Sequence, residues 1–107
     1  MSSEQTEKVN LKKLEILIEK RSLEMVIDIL DEYNVALYYI IKDITGKDFN
    51  GVKHGEDLND VFKNCLVTTI LPAETIEKIK VRLNVVFKKK SGICIVYNNV
   101  ESVSEIF

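Results

Sequence analysis

The chain has 107 residues, 46% hydrophobic and 30% charged, with a net charge of -2 at pH 7, enough for one domain with one modest core and too apolar to remain disordered. So balanced a charge gives no broad basic field, which argues against nucleic acid as a partner, and no stretch approaches the roughly 18 apolar residues of a membrane span. With one histidine, two cysteines and no CxxC, the chain offers little for a metal centre or a disulfide framework.

The opening MSSEQTEKVN is polar and lacks the apolar run of a signal peptide. Residues 1–11 are therefore expected to form a disordered leader, residues 12–107 a single domain, and the protein is expected in the cytoplasm. The pattern KKLEILIE alternates Leu14, Ile16 and Ile18 with Glu15, Leu17 and Glu19, which predicts a first strand over residues 12–19. Ser22 suits an N-cap and Glu24 the first turn of a helix. Leu23, Val26, Ile27, Leu30 and Tyr33 recur at helical spacing, so that helix should run to about residue 34.

The run VALYYIIKDI is short, aromatic and β-branched, and predicts a second strand over residues 36–43. Leu37, Tyr39 and Ile41 would lie on one face and Tyr38 and Ile40 on the other. Residues 43–64 hold three of the four glycines and the only histidine. A connection of that length is usually functional. CLVTTIL then predicts a third strand over residues 65–71, ended by Pro72, which also suits the first turn of a second helix. Ile76, Ile79, Leu83, Val86 and Phe87 give that helix its buried stripe, with Lys88, Lys89 and Lys90 near its end. Ser91 and Gly92 break it, and ICIVY predicts a fourth strand over residues 93–97. Asn98 and Asn99 should turn the chain, and the pattern leaves open a short strand or helix in VESVSEIF.

This order predicts an α+β, ferredoxin-like βαββαβ sandwich with a long loop between strands two and three. Two helices cover only one face of the sheet. Strands two, three and four nevertheless read as apolar on both sides, through Tyr38, Ile40, Leu66, Ile70, Cys94 and Val96 beyond the helix-facing set, so a closed homo-oligomer with cyclic symmetry is expected.

No catalytic set stands out. His54, near Glu56 and Asp57, has the composition of a carboxylate-held general base, but a solvated loop histidine is the plainer reading. No GxSxG nucleophile motif is present, and Cys65 and Cys94 sit in apolar runs as small hydrophobes. At the start of the loop, Thr45, Gly46 and Lys47 allow backbone amides to approach a phosphate while the ammonium neutralises it; an ordinary turn has the same composition. Lys88, Lys89, Lys90, Ser91 and Gly92 read equally as a second wall of an anion site or as a basic helix end.

Together LEILIEKRSLEMVIDIL, ALYYIIKDITGKD and ILPAETIEKIKVRLNVVFKKKSGICIVY resemble the PII signalling superfamily over nearly the whole chain, and most nearly its PII-like members outside the main nitrogen group, including the branch associated with bicarbonate transport. Glu19-Lys20 and Gly46-Lys47 match that branch's EK and GK motifs. KKKSG stands where the main group has a TGxxGDGK-type B-loop, the C-terminal segment carries no arginine, and the loop has no tyrosine for uridylylation.

The resemblance implies a nonenzymatic homotrimer that binds adenine nucleotide, ADP or ATP first and AMP or cyclic AMP as further options, in clefts between subunits. Residues 43–64 would be the T-loop that docks on a membrane transporter or an enzyme. Lys20, Thr45, Gly46, Lys47, Lys88, Lys89, Lys90, Ser91, Gly92 and Ile93 would line the nucleotide site. The alternative is a trimeric interaction module that needs no nucleotide.

Overall fold

A computed structural model describes residues 10–48, 51–53, 64–90 and 92–104. Strand β1, Leu11–Glu19, starts one residue earlier than its alternation predicts. Leu11 belongs to it and not to a leader, being buried with its Cα opposite Pro72 and Val100. A 3-10 turn, Lys20–Ser22, leads into helix α1, Leu23–Glu32. Strands β2, Tyr39–Ile44, β3, Gly46–Asp48, β4, Gly51–Lys53, and β5, Asn64–Pro72, follow. Helix α2, Ala73–Phe87, and strand β6, Gly92–Val100, complete the fold.

The main sheet has the order β2-β5-β1-β6, with every neighbouring pair antiparallel, the arrangement expected of a ferredoxin-like sandwich. Strand β1 is central. Its Leu14, Ile16 and Ile18 are essentially inaccessible and pack with Val67 of β5, Val26, Ile29 and Leu30 of α1, and Ile76, Ile79, Leu83 and Val86 of α2. Burying each such aliphatic side chain contributes about 1.5 to 3 kcal/mol. On α1 Val26 and Leu30 are inaccessible and Ile29 is buried with them, whereas Ile27 of the expected stripe is only half-buried.

Local chemistry sets the ends of α1. Ser22 occupies the N-cap position with φ -105 and ψ 0 and makes no side-chain cap bond, because the preceding 3-10 turn holds it out of the extended geometry that capping uses. At the other end Asn34 is left-handed, with φ 56. Its amide donates to the Asp31 carbonyl at 3.0 Å and the Val35 amide to the Leu30 carbonyl at 3.1 Å, a Schellman closure with asparagine in the usual glycine position. The start of α2 is tied to the residue before β1 by the Ala73 amide, which donates to the Asn10 carbonyl at 2.8 Å.

Register corrects the sequence-based faces of two strands. Partners across a ladder share a face, and Ile40 faces Val67 while Cys94 and Val96 face Ile16 and Leu14. Tyr38, Ile40, Cys94 and Val96 therefore pack toward the helices, and the open face carries Tyr39, Ile41, Ile93, Ile95 and Tyr97. For β5 the expectation holds, with Leu66 and Ile70 away from the core. Asn98 and Asn99 do not turn the chain. They form a bulge in β6 opposite Lys12, with Asn99 left-handed at φ 58, and β2 carries a matching bulge at Lys42 and Asp43, with Asp43 at φ 59.

The open face also holds a polar triad in the middle of the sheet. The Tyr97 hydroxyl donates to Glu15 at 2.9 Å, Lys13 pairs with Glu15 at 3.2 Å, and the Lys13 ammonium lies 5.3 Å from the Tyr97 ring centre. The Tyr97 hydrogen bond, the largest influence, holds the Glu15 carboxyl below its usual range against the opposing desolvation, with Lys13 adding to the lowering, while Glu15 raises the Tyr97 hydroxyl. The depressed carboxylate adds stability that is fully present above its ordinary value of 4.5 and is lost as pH falls through its lower folded value. Between pH 7 and pH 3 the wild type should lose more stability in urea than Glu15→Gln or Tyr97→Phe; parallel curves for all three would refute the coupling.

Gly92 opens β6 opposite Ile18 under tight constraint. A Cβ there would lie 2.7 Å from Phe87 Cε1 and 2.9 Å from the Leu17 carbonyl oxygen, whereas one at Gly46 would meet no described residue within 4 Å. The Leu17 backbone belongs to the central strand and cannot yield without disturbing the ladder. Gly92→Ala should therefore destabilise the fold by about 1 to 3 kcal/mol, and Gly46→Ala should stay within about 0.5 kcal/mol. Equal denaturation midpoints for the two would disprove this assignment.

Candidate functional site

The antiparallel ladders gather most of the sequence-predicted site residues at one end of the sheet. Strand β1 finishes there at Glu19, opposite Asn64 of β5, which in turn faces Ile44 at the end of β2; Gly92 begins β6 opposite Ile18. Lys20 therefore follows the central strand, Thr45, Gly46 and Lys47 follow β2, and Gly92 and Ile93 open β6. Lys88, Lys89 and Lys90 leave the end of α2 just before it. Ser91 lies outside the described residues, as do His54, Glu56 and Asp57.

These residues do not form one cluster within a chain. Strands β2 and β6 are the two edges of the sheet, and three strand spacings of about 4.8 Å separate them by roughly 14 Å. The arrangement is two half-sites on opposite edges of the same end. One holds Thr45, Gly46 and Lys47; the other holds Lys88, Lys89, Lys90, Gly92 and Ile93.

At the first half-site, the β2 bulge with left-handed Asp43 redirects the chain. After Thr45 it enters β3, which pairs with β4 as a separate ladder, Lys47 opposite Val52. The base of the predicted loop is thus strand and not irregular chain. Lys47 is exposed and makes no ion pair with any described residue. At the second half-site, the amides of Lys88, Lys89 and Lys90 donate to the Asn84 and Val86 carbonyls at 2.9 to 3.2 Å. These bonds close the helix end, and the three exposed lysines follow directly on its last turn, near the end as the sequence predicts. Ile93, 38% exposed, lies on the open face of the sheet as β6 begins.

Between the half-sites, Glu19 is buried and receives a hydrogen bond from Arg21 at 3.2 Å. Asn64, equally buried, faces it across the ladder. The thiols are poor nucleophiles. Burial first, and then the charge of Asp43, pushes the Cys65 thiol up, and burial pushes up that of Cys94; both cysteines are free. Sequence reasoning missed Glu15 and Tyr97 as a pair, since 82 positions separate them and only the β1–β6 register brings them together. Among the described residues, no helix is long and apolar enough to cross a membrane.

No protein-family model and no curated protein matches the chain. Solved structures do. CPII, a nitrogen regulatory PII-like protein from Thiomonas intermedia, bound to ADP, AMP and bicarbonate, is similar with a TM-score of 0.75 and 28% identity, over 81% of this chain and 83% of that one. A putative PII-like signalling protein from Thermus thermophilus has a TM-score of 0.70 and 22% identity, over 84% and 87% of the two chains. A DUF3240 family protein from Shewanella baltica has a TM-score of 0.70 and 13% identity, over 92% and 100%. The last two are likenesses of fold alone. The strand order and the likeness to CPII agree with the quoted sequence segments, and the fold of the chain is that of the PII-like structures it resembles.

Proposed function

We propose that the protein is a nonenzymatic signalling subunit that binds an adenine nucleotide of the ADP, ATP or AMP class between neighbouring copies in a homotrimer. The observation that carries this reading is the placement of two cationic half-sites on opposite edges of one end of the sheet. In a cyclic assembly, the β2 edge of each subunit meets the β6 edge of the next, so that Lys47 of one copy and Lys88, Lys89 and Lys90 of its neighbour converge on one phosphate chain. Gly46, which no described residue crowds, leaves room there for a ligand backbone. The adenine nucleotides bound to CPII support this ligand class.

The open face supports the assembly. Tyr39 is 66% exposed, Ile41 55% and Ile95 47%, and Leu17 and Leu66 continue the patch across the central strands. Apolar surface of that extent is characteristically buried by association. The segment 43–64, rooted at the first half-site, would then read out nucleotide occupancy and dock on a partner, a membrane transporter or an enzyme. Nucleotide can shift that segment only by its differential affinity for the two states.

The central test is binding at intact stoichiometry. Lys47→Ala should keep the trimer and lose roughly 10- to 150-fold in nucleotide affinity by calorimetry, the loss expected from one charge-assisted bond of about 1.5 to 3 kcal/mol. Subunit mixing then tests the shared site. Lys47→Ala chains co-assembled with chains carrying Lys88→Ala, Lys89→Ala and Lys90→Ala should regain tight sites, because one junction in a mixed trimer unites an intact half-site from each variant. Weak binding in the mixture would sink the shared-site arrangement, and unchanged affinity in Lys47→Ala would remove the β2 half-site.

A further inference from the structure

The outer surface of the helical layer carries a groove that the nucleotide site does not use. It has a volume of about 300 Å³ and lies between α1 and α2, lined by Met25, Asp28, Ile29, Glu32, Arg82, Val85 and Val86. That is the low end of the range for ligand pockets, room for apolar side chains inserted from outside. Met25 is 41% exposed and Val85 55%, and Val81, one helical turn before Val85, is 67% exposed. Methionine adapts its shape to whatever enters. Arg82 of α2 pairs with Glu32 of α1 across the groove, which braces the two helices and cancels those two charges.

What remains on α1 is acidic. Glu24, Asp28 and Asp31 are exposed at positions i, i+4 and i+7 and form one ridge beside the groove. The helix LEMVIDILDE has four acids and no base, and no described cation lies within ion-pair distance of Glu24, Asp28 or Asp31. Like charges at i and i+4 destabilise a helix, and acids in the last turn oppose its dipole. The ridge is therefore unfavourable for the isolated fold, and a cationic partner relieves it. Because the helices lie on the layer opposite the open sheet face, the groove stays accessible when sheets associate.

We propose that this groove docks a basic amphipathic helix of a partner protein, whose apolar residues enter among Met25, Ile29 and Val85 while its Lys and Arg side chains pair with Glu24, Asp28 and Asp31. The docking is independent of nucleotide and of residues 43–64. A labelled synthetic helix of about five turns, with a leucine stripe and a lysine face, should bind saturably by fluorescence anisotropy and more weakly as salt rises. Its glutamate-faced sister should not bind.

Asp28→Lys should weaken the basic peptide by roughly five- to thirtyfold, since it replaces an attraction with a repulsion. Its urea midpoint should match or exceed the wild type, because the same change relieves the acidic ridge; this separates lost docking from lost folding. Val85→Ser should weaken the peptide as well, with nucleotide affinity unchanged. Equal binding of the two peptides, undiminished binding to Asp28→Lys, or self-association of the protein through this groove in place of peptide binding would overturn the proposal.

Discussion

The structure depends on the double pairing of the central strand. Strand β1 is hydrogen-bonded on both sides, to β5 along its whole length and to β6 across a single register shift. Its even positions from Leu14 to Ile18 form the floor of the core. Because side chains alternate with a period of two, its register decides which residues of both neighbours face the helices and which face away. The core, the open face and the end of the sheet where Lys20, Gly92 and Ile93 meet all follow from that pairing.

Much of the fold is legible in the sequence because the elements punctuate themselves. Pro72 marks the passage from a strand to a helix, Gly92 opens the last strand, and α2 buries Ile76, Ile79, Leu83 and Val86 of its expected stripe, with Phe87 half-buried beside them. The faces of β2 and β6 are not legible. When both sides of a strand are apolar, as in YYIIK and ICIVY, periodicity carries no phase information, and only Ile40 opposite Val67 and Cys94 opposite Ile16 settle the question. The two asparagines before Val100 have turn chemistry, and that chemistry is used. The left-handed backbone it permits bends a continuing strand where an ending was expected.

The candidate site was legible as a composition and not as a place. GK and KKKSG can be read directly as phosphate-friendly segments, but their separation across a four-stranded sheet depends on strand order, which arises from long-range pairing and has no local signature. Gly46 and Gly92 illustrate the same limit. They look alike in sequence, yet one has no described residue close to it and the other is pressed between Phe87 and the Leu17 carbonyl. The first is available to a ligand; the second is an obligation of the fold.

The paired bulges bear on how such a chain avoids the wrong assembly. An uncovered strand with exposed Tyr39 and Ile41 is a template for further strands, and chains that add edge to edge grow without limit into fibres. Here each edge strand is kinked by one left-handed residue that is not glycine, Asp43 in β2 and Asn99 in β6, and the bulge in β2 carries two charged side chains beside its exposed apolar residues. Growth along the ladder direction is thereby interrupted on both flanks. The apolar surface is left with its flat face to offer, and sheets packed by their faces around an axis would exhaust that surface in a finite particle.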